Sequence, residues 1–187
     1  FAFWLIHHID MWLLDTSTLA LHSFMGDDVP PYAILSHTWG DEERSFQDML
    51  SLQTPVNQKL DFRDAQAQML ELDIKNRSGY HKIERCCAQA LKDGYEYAWI
   101  DTCCIDKTNS AELSEAINSM FRWYRKAAEC YAYLEDIEHG SDLSQLGGTR
   151  WFTRGWFVTS CLERVQDLEF WDHVLCSLSQ DPKTMSQ

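Results

Sequence analysis

Three short apolar runs alternate with two amphipathic helical patterns along this chain, and this alternation most limits its fold. The runs cover residues 32–36, 97–101 and 130–134, and each has the length of a buried strand. One amphipathic pattern precedes the second run and another follows it. Because strand–helix–strand units form parallel sheets with right-handed crossovers, this order predicts an α/β fold: a mainly parallel sheet flanked by helices, with irregular additions.

The strongest helical signal covers residues 109–126. Asn109 has the chemistry of an N-cap, and Glu112 lies three residues later, as in a capping box. Apolar residues recur at i, i+3, i+4, i+7, i+8 and i+11, which predicts the buried face of the helix. These residues are Leu113, Ala116, Ile117, Met120, Phe121 and Tyr124. A second amphipathic helix begins after Ser78 and ends at Asp93-Gly94.

The remaining segments give weaker signals. Residues 11–24 alternate loosely and indicate a short strand or a hairpin. Residues 41–53 carry apolar side chains at helical spacing, and residues 54–78 form a polar connection with a weak helical pattern near its middle. We expect an upstream extension at residues 1–10, one domain over 11–176 and a frayed tail over 177–187.

Polar segments follow each predicted strand, at residues 36–40, 101–107 and 135–138. The carboxyl ends of parallel strands meet at one edge of a sheet, and open α/β sheets bind their ligands there. We therefore expect these segments to share a pocket beside the start of the 109–126 helix.

The charge balance excludes some partners. The chain has 16 Lys and Arg against 29 Asp and Glu, a formal net charge of −13. Such a chain repels nucleic-acid phosphates and anionic lipid headgroups. The apolar run at its start is far shorter than the ~20 residues of a membrane span. We predict no nucleic-acid partner and no membrane span.

Seven cysteines, four of them in two adjacent pairs, have neither zinc-finger nor CxxC spacing. We expect reduced thiols in a cytoplasmic protein and no metal site. Cys103 and Cys104 suggest a nucleophile paired with His37, but the sequence offers no third orienting group. Small buried side chains are the default interpretation.

Residues 32–40 read Tyr-Ala-Ile-Leu-Ser-His-Thr-Trp-Gly. This run resembles the opening motif of the fungal heterokaryon-incompatibility (HET) domain. Segments similar to later motifs of that domain follow in the same order, at residues 79–83, 97–120 and 150–156. The resemblance covers about two thirds of the chain in four ordered motifs, which makes it specific. It breaks after Trp156, where residues 157–162 replace the usual helix.

The resemblance implies a role in fungal non-self recognition and regulated cell death. HET domains have been proposed to be distant relatives of TIR domains, which have a flavodoxin-like α/β fold. Several TIR domains cleave NAD at the nicotinamide–ribose bond with one Glu near the start of a helix after a central strand. The resemblance therefore implies NAD(P) as a substrate, with no tightly bound cofactor.

Glu112 and Glu115 are the catalytic candidates, because both lie early in the helix after the central strand. A carboxylate can stabilise the oxocarbenium-like state of NAD glycohydrolysis or orient the ribose. Alternatively, Glu112 only caps the helix and complements its dipole.

The ligand-binding candidates lie on the strand-end loops and in the Trp/Arg segment: Ser36, His37, Trp39, Asp101, Asp106 and Arg154. Trp39 suits stacking on a base, and His37 suits a hydrogen bond to a ligand. The two aspartates suit ribose hydroxyls, and Arg154 suits a phosphate. The alternative for all of them is structural: packing of the loops, acceptance of backbone N–H bonds, and an ion pair for Arg154.

Three functions fit these observations. The first is a HET-type effector that hydrolyses NAD(P) after self-association or on a signal from an upstream sensor protein. The second is a non-enzymatic signalling module that self-assembles or binds a partner. The third is a degenerate, inactive copy.

Overall fold

The computed structural model of this chain describes residues 10–26, 28–53, 62–138, 148–152 and 174–177. These residues form strands and helices in one α/β arrangement, which confirms the predicted fold class. The strands are β1 (Asp10–Asp15), β2 (Leu21–Met25), β3 (Tyr32–His37), β4 (Tyr97–Trp99), β5 (Glu129–Glu138) and β6 (Val174–Ser177). The helices are α1 (Phe46–Gln53), α2 (Phe62–Lys75), α3 (Ser78–Lys92) and α4 (Ser110–Lys126).

The strands form a single sheet in the order β2-β1-β4-β3-β5-β6. Strands β4, β3, β5 and β6 pair in parallel, whereas β1 pairs antiparallel with both β2 and β4. The described sheet is therefore mixed, and the expectation of a mainly parallel sheet holds only for β3 to β6. The reason is that the β1–β2 hairpin, which needs no crossover, adds to the edge of β4. Numbered in chain order, the parallel strands run 2-1-3-4.

The loose alternation of residues 11–24 is a hairpin. Its turn is fixed by Asp15, whose Oδ1 accepts hydrogen bonds from the backbone N–H of Ser17 (2.9 Å) and of Thr18 (2.8 Å). Leu19 closes the turn in the left-handed region, with φ of 59°. The Thr16 hydroxyl then donates to the Tyr95 carbonyl at 2.9 Å, which fastens the hairpin beside β4.

One part of the core lies between β3, β4 and α4. All six residues of β3 are buried. The Tyr32 hydroxyl donates to the Trp123 carbonyl at 2.6 Å, and the Tyr124 hydroxyl donates to the Leu35 carbonyl at 3.1 Å. The ring of Trp99 packs on that of Trp123 with centroids 5.4 Å apart. These contacts fix α4 against the middle of the sheet.

The prediction of which face of α4 is buried is partly wrong. Ile117 and Phe121 are exposed, at 58% and 43%, whereas Trp123 is buried. The helix is rotated so that Trp123, with its larger apolar area, faces the sheet. Asn109 is the N-cap as predicted, and its Oδ1 accepts from the N–H of Ala111 and of Glu112. Glu112, however, accepts from the N–H of Asp106 at 3.2 Å, so the capping box is not reciprocal.

Helix α3 begins against the loop that follows β3. Its N-cap residue, Arg77, makes no side-chain cap hydrogen bond. Instead, Glu42 Oε2 accepts from the Ser78 backbone N–H at 3.1 Å and from the Ser78 hydroxyl at 3.0 Å. Gly79 allows this close approach, because a Cβ there would overlap the Glu42 carbonyl oxygen and lie 2.9 Å from Glu43 Cα.

Four cysteines, Cys86, Cys87, Cys103 and Cys104, are free and buried among apolar side chains, as expected. Cys130 is disulfide-bonded, which corrects the expectation that all seven thiols are reduced. The described cysteine side chains do not include its partner. The proposed extension before Asp10, the atypical segment after Trp156 and most of the proposed tail lie outside the described residues.

No helix in the described ranges combines the length and the apolar character that crossing a bilayer requires.

Replacing Gly79 with Ala should destabilise the protein by about 1–3 kcal/mol, because the new methyl group overlaps backbone that cannot rotate away. The higher helix propensity of Ala works in the opposite direction and offsets part of this loss. The measurement is urea unfolding of the Gly79→Ala variant. Gly148→Ala is the matched control, since a Cβ there meets no atom within 4 Å. Equal stability of the two variants would contradict the packing described here.

Candidate functional site

A buried hydrogen bond joins the carboxyl ends of the two central strands. His37 is the last residue of β3, and Asp101 follows β4. The His37 Nε2 lies 2.7 Å from Asp101 Oδ1, and both residues are about 95% buried. The carboxylate only accepts, so Nε2 donates. The Trp39 Nε1–H donates to the other oxygen, Asp101 Oδ2, at 2.9 Å.

Asp101 is a buried anion. Burial alone would raise the pKa of its carboxyl group. The electrostatic interaction with His37, the hydrogen bonds from His37 and Trp39, and the charge of Lys107 act in the opposite direction and hold that pKa below its ordinary value.

Glu43 and Lys82 continue this arrangement on the other side of His37. Glu43 Oε1 lies 3.8 Å from His37 Nδ1 and accepts from the Gly40 N–H at 2.8 Å. It also accepts from the Lys82 ammonium, which is buried. The Lys82 Nζ lies 5.4 Å from the centroid of the Tyr133 ring. We call Asp101, His37, Glu43 and Lys82 the strand-end network.

A second lysine lies beside Trp39. The Lys107 Nζ is 4.0 Å from the centroid of the Trp39 indole and donates to the Thr102 carbonyl at 3.4 Å. Burial lowers the pKa of Lys107, and the nearby Asp101 carboxylate partly restores it. Trp39 is held at its Nε1 yet remains 44% exposed, so part of the indole is open to a ligand.

A cleft opens beside the strand-end network, between the ends of β3 and β5. The space between its lining residues is about 310 Å³, a figure that includes open solvent. Its lining comes from the loop after β3, the start of α3 and the end of β5: Gly40, Glu42, Glu43, Ser78, Gly79, Lys82, Tyr133 and Glu135. From β3 the chain crosses to β4 on one side of β3, and from β4 it crosses to β5 on the other side. The cleft therefore lies at the switch point of the sheet, where open α/β sheets bind ligands.

The far wall of the cleft depends on Glu135 and Arg150. A Cβ on Gly40 would lie 2.9 Å from Glu135 Oε1, so the missing side chain leaves room for that carboxylate. The Arg150 guanidinium has its Nη1 3.7 Å from Glu135 Oε2 and donates from Nη2 to the Trp39 carbonyl at 3.3 Å. Arg150 therefore ties the end of β5 to the loop after β3.

Unsatisfied buried polar atoms concentrate at this edge. Within the described ranges, five buried side-chain atoms have no hydrogen-bond partner: His37 Nδ1, Glu43 Oε2, Trp99 Nε1, Thr102 Oγ1 and Glu135 Oε2. Three belong to the network or to the wall of the cleft. Leaving such an atom unpaired costs about 1–3 kcal/mol, so each calls for an explanation such as a catalytic role or a bound water or ion.

The structure brings together three of the predicted ligand-binding residues: His37, Trp39 and Asp101. Ser36 is fully buried, and its Oγ accepts from the Trp151 Nε1–H at 3.0 Å, which is a structural contact. Asp106 accepts from the backbone N–H and the hydroxyl of Thr108, at 2.9 and 2.6 Å, and so organises its own loop. The structural alternative therefore describes Ser36 and Asp106.

The two catalytic candidates, Glu112 and Glu115, do not belong to this network. Burial raises the pKa of Glu112, and the charges of Asp106 and Asp10 raise it further. Asp10 begins β1, so Glu112 faces the β1 side of β4, whereas the cleft lies beyond β3. Glu115, one turn later on α4, is half-buried. Arg154 lies outside the described residues.

Two residues of the site, Glu43 and Lys82, were not anticipated from the sequence, and Glu135 was anticipated only as part of the polar segment 135–138. Glu43 follows the strand-end motif by three residues, so it had a positional signal. Lys82 had one weaker signal, a lysine beside Ile83 on the buried side of an amphipathic helix.

The structure gives no support to a cysteine nucleophile. Burial raises the pKa of Cys103 well above its ordinary value, and a buried thiol with a raised pKa is inert. No group of three or more metal-ligating side chains occurs among the residues that the structure describes.

A model of the heterokaryon incompatibility (HET) protein family matches residues 32–147 of the chain. The chain belongs to the HET family. The match includes every residue of the strand-end network, so this HET domain carries its cleft inside the family's own boundaries.

The chain is also 46% identical over 140 residues to the vegetative incompatibility protein HET-E-1 of Podospora anserina. That alignment covers 68% of this HET chain but 9% of HET-E-1. No solved structure matches the chain.

Replacing Asp101 with Asn should make the free energy of unfolding depend less on pH in the acidic range. The pKa of Asp101 is lower in the folded state than its ordinary value of 3.8. Its ionisation therefore stabilises the fold above about pH 4, and this stability is lost as pH falls toward the folded pKa. The measurement is urea unfolding between pH 2.5 and 7.

Glu112→Gln is the matched comparison, because its pKa is shifted the other way. The folded pKa of Glu112 lies above its ordinary 4.5, so its ionisation removes stability as pH rises through that range. The Gln variant should gain relative to wild type above pH 5. Identical pH dependence in Asp101→Asn and wild type would contradict the buried-anion assignment.

Proposed function

We propose that this chain is an effector domain of fungal heterokaryon incompatibility that acts in the cytoplasm and promotes regulated cell death by hydrolysing NAD(P). The observation that carries the proposal is the cleft between the ends of β3 and β5. It has polar lining, a buried charged network behind it and an exposed indole, that of Trp39, on the same loop.

Hydrolysis of NAD(P) requires little of the protein beyond correctly positioned charges. The bond between the ribose C1′ and the nicotinamide nitrogen breaks, and nicotinamide leaves with the bonding electrons. The oxocarbenium-like ribosyl group then takes the oxygen of water, whose proton is released to solvent. A nearby carboxylate stabilises the positive charge or orients the ribose hydroxyls.

Glu43 and Glu135 are the carboxylates that line the cleft and suit this role. Their charges are already balanced in part, Glu43 by Lys82 and Glu135 by Arg150. They are therefore better suited to orient the ribose hydroxyls than to stabilise a further positive charge. Glu112 and Glu115, near the start of α4, stay as the candidates from the sequence.

His37 and Asp101 would act as positioning residues. Asp101 fixes the orientation of the imidazole through Nε2, which leaves Nδ1 directed toward Glu43. Trp39, held by Asp101 and flanked by Lys107, would stack on a base of the dinucleotide.

The strand order supports the proposed kinship with TIR domains. The parallel strands follow the 2-1-3-4 order of flavodoxin-like sheets, and the cleft occupies the switch point of that order.

A second candidate function, a non-enzymatic signalling module, is favoured by a different observation. Ile117 and Phe121 lie exposed on α4, away from the cleft. Such a module would signal by association with itself or with an upstream sensor protein.

The test is release of nicotinamide from NAD and NADP by the purified chain, measured at dilute and at high protein concentration. We expect Glu43→Gln or Glu135→Gln to lower the rate by about 100-fold or more, the usual weight of a placed catalytic carboxylate. Glu112→Gln and Glu115→Gln test the alternative carboxylates in the same assay.

Glu84→Gln is the control, since Glu84 is exposed and pairs with His81 on the surface of α3. It should leave the rate unchanged. Absence of nicotinamide release at every protein concentration would refute the enzymatic proposal. Loss of activity only in Glu112→Gln or Glu115→Gln would move the active site to α4.

A further inference from the structure

We infer that α4 is a self-association surface through which two copies of this chain pair with their α4 helices antiparallel. The inference is independent of NAD(P) hydrolysis, because it rests on a helix face outside the cleft.

The apolar part of this surface is Ile117 and Phe121. They are 58% and 43% exposed and lie four residues apart, so they are neighbours on one flank of the helix. The opposite side of α4 is occupied by the core, through Ala116, Met120, Trp123 and Tyr124. Two adjacent large apolar side chains in water favour a partner that covers both.

The charged part is Glu115 and Arg122. They lie seven residues apart, which is two turns, and form the other flank of this face, where Glu115 is half-buried and Arg122 is exposed. Arg122 is exposed and donates from Nη2 to the Ser119 hydroxyl at 3.1 Å, which holds its guanidinium near the helix surface. The face thus has one apolar flank and one flank with an acidic and a basic end.

These two pairs share a centre. The midpoint between Ile117 and Phe121 and the midpoint between Glu115 and Arg122 both fall at residues 118–119. In an antiparallel helix pair with two-fold symmetry, positions equally distant from the centre meet, and like flanks face each other. Ile117 of one copy then meets Phe121 of the other, and Glu115 meets Arg122.

This self-complementarity selects a second copy of the chain as the occupant. In a parallel pair with two-fold symmetry unlike flanks face each other, so Glu115 and Arg122 would lie opposite the apolar flank and neither charge would meet an opposite one. A chain of net charge −13 also repels its copies in general, so a contact between copies needs opposite charges placed in register.

The pairing should be weak. One helix face covers less than the roughly 800 Å² per partner of a standard interface, so the contact forms at high local concentration and dissociates on dilution. Attachment to a larger protein that gathers several copies would raise that concentration without new contacts.

The test is sedimentation equilibrium of the whole chain from about 10 to 500 µM. We expect a concentration-dependent rise in mass toward that of a dimer, and a dissociation constant raised about ten-fold or more in Phe121→Glu, because it places a charge in the apolar contact. Leu91→Glu is the control: Leu91 is 51% exposed on α3, and its variant should associate like wild type.

A charge exchange tests the register. Glu115→Arg alone and Arg122→Glu alone should each weaken association, because like charges then meet, and the double variant E115R/R122E should restore it. Thermal unfolding of each variant serves as the control that the fold is intact. A constant monomer mass in wild type, equal weakening by Leu91→Glu, or failure of the double exchange to restore association would overturn the inference.

Discussion

The buried hydrogen bond between His37 and Asp101 is the contact on which the site depends. It fixes the ends of β3 and β4, and it also sets the position of two further side chains, Trp39 on one carboxylate oxygen and Glu43 next to the imidazole. Burying a carboxylate in the protein interior costs free energy unless an opposite charge and hydrogen-bond donors compensate for the lost water. Here both oxygens have donors, so the same bonds that stabilise the anion also shape the loop beside the cleft.

Much of the fold could be predicted from local signals. Strand β3 is a continuous apolar run, α3 and α4 have a clear helical period, and Asn109 caps α4 as its chemistry indicates. The pairing of β1 with β4 had no local signal, because a hairpin can add to any free strand edge. The rotation of α4 about its axis could not be predicted either. Either Ile117 or Trp123 could face the sheet, and only packing decides which of them is buried.

Some residues of the site could be predicted from the sequence, and others could not. His37, Trp39 and Asp101 follow strands, and parallel strands bring their carboxyl ends together, so their proximity follows from the fold class. Lys82 could not be placed, because its partner, Glu43, lies 39 residues away and no sequence pattern links the two. Glu112 has the expected place at the start of a helix, yet that helix begins on the β1 side of β4, away from the cleft.

A double-mutant cycle on the central contact tests this account most directly. The free energy of unfolding at pH 7 is measured for wild type, His37→Gln, Asp101→Asn and the double variant. Since the two side chains share one buried hydrogen bond, the account predicts a coupling energy of about 1–3 kcal/mol. A coupling energy near zero would mean that His37 and Asp101 act independently and that the strand-end network does not exist as described.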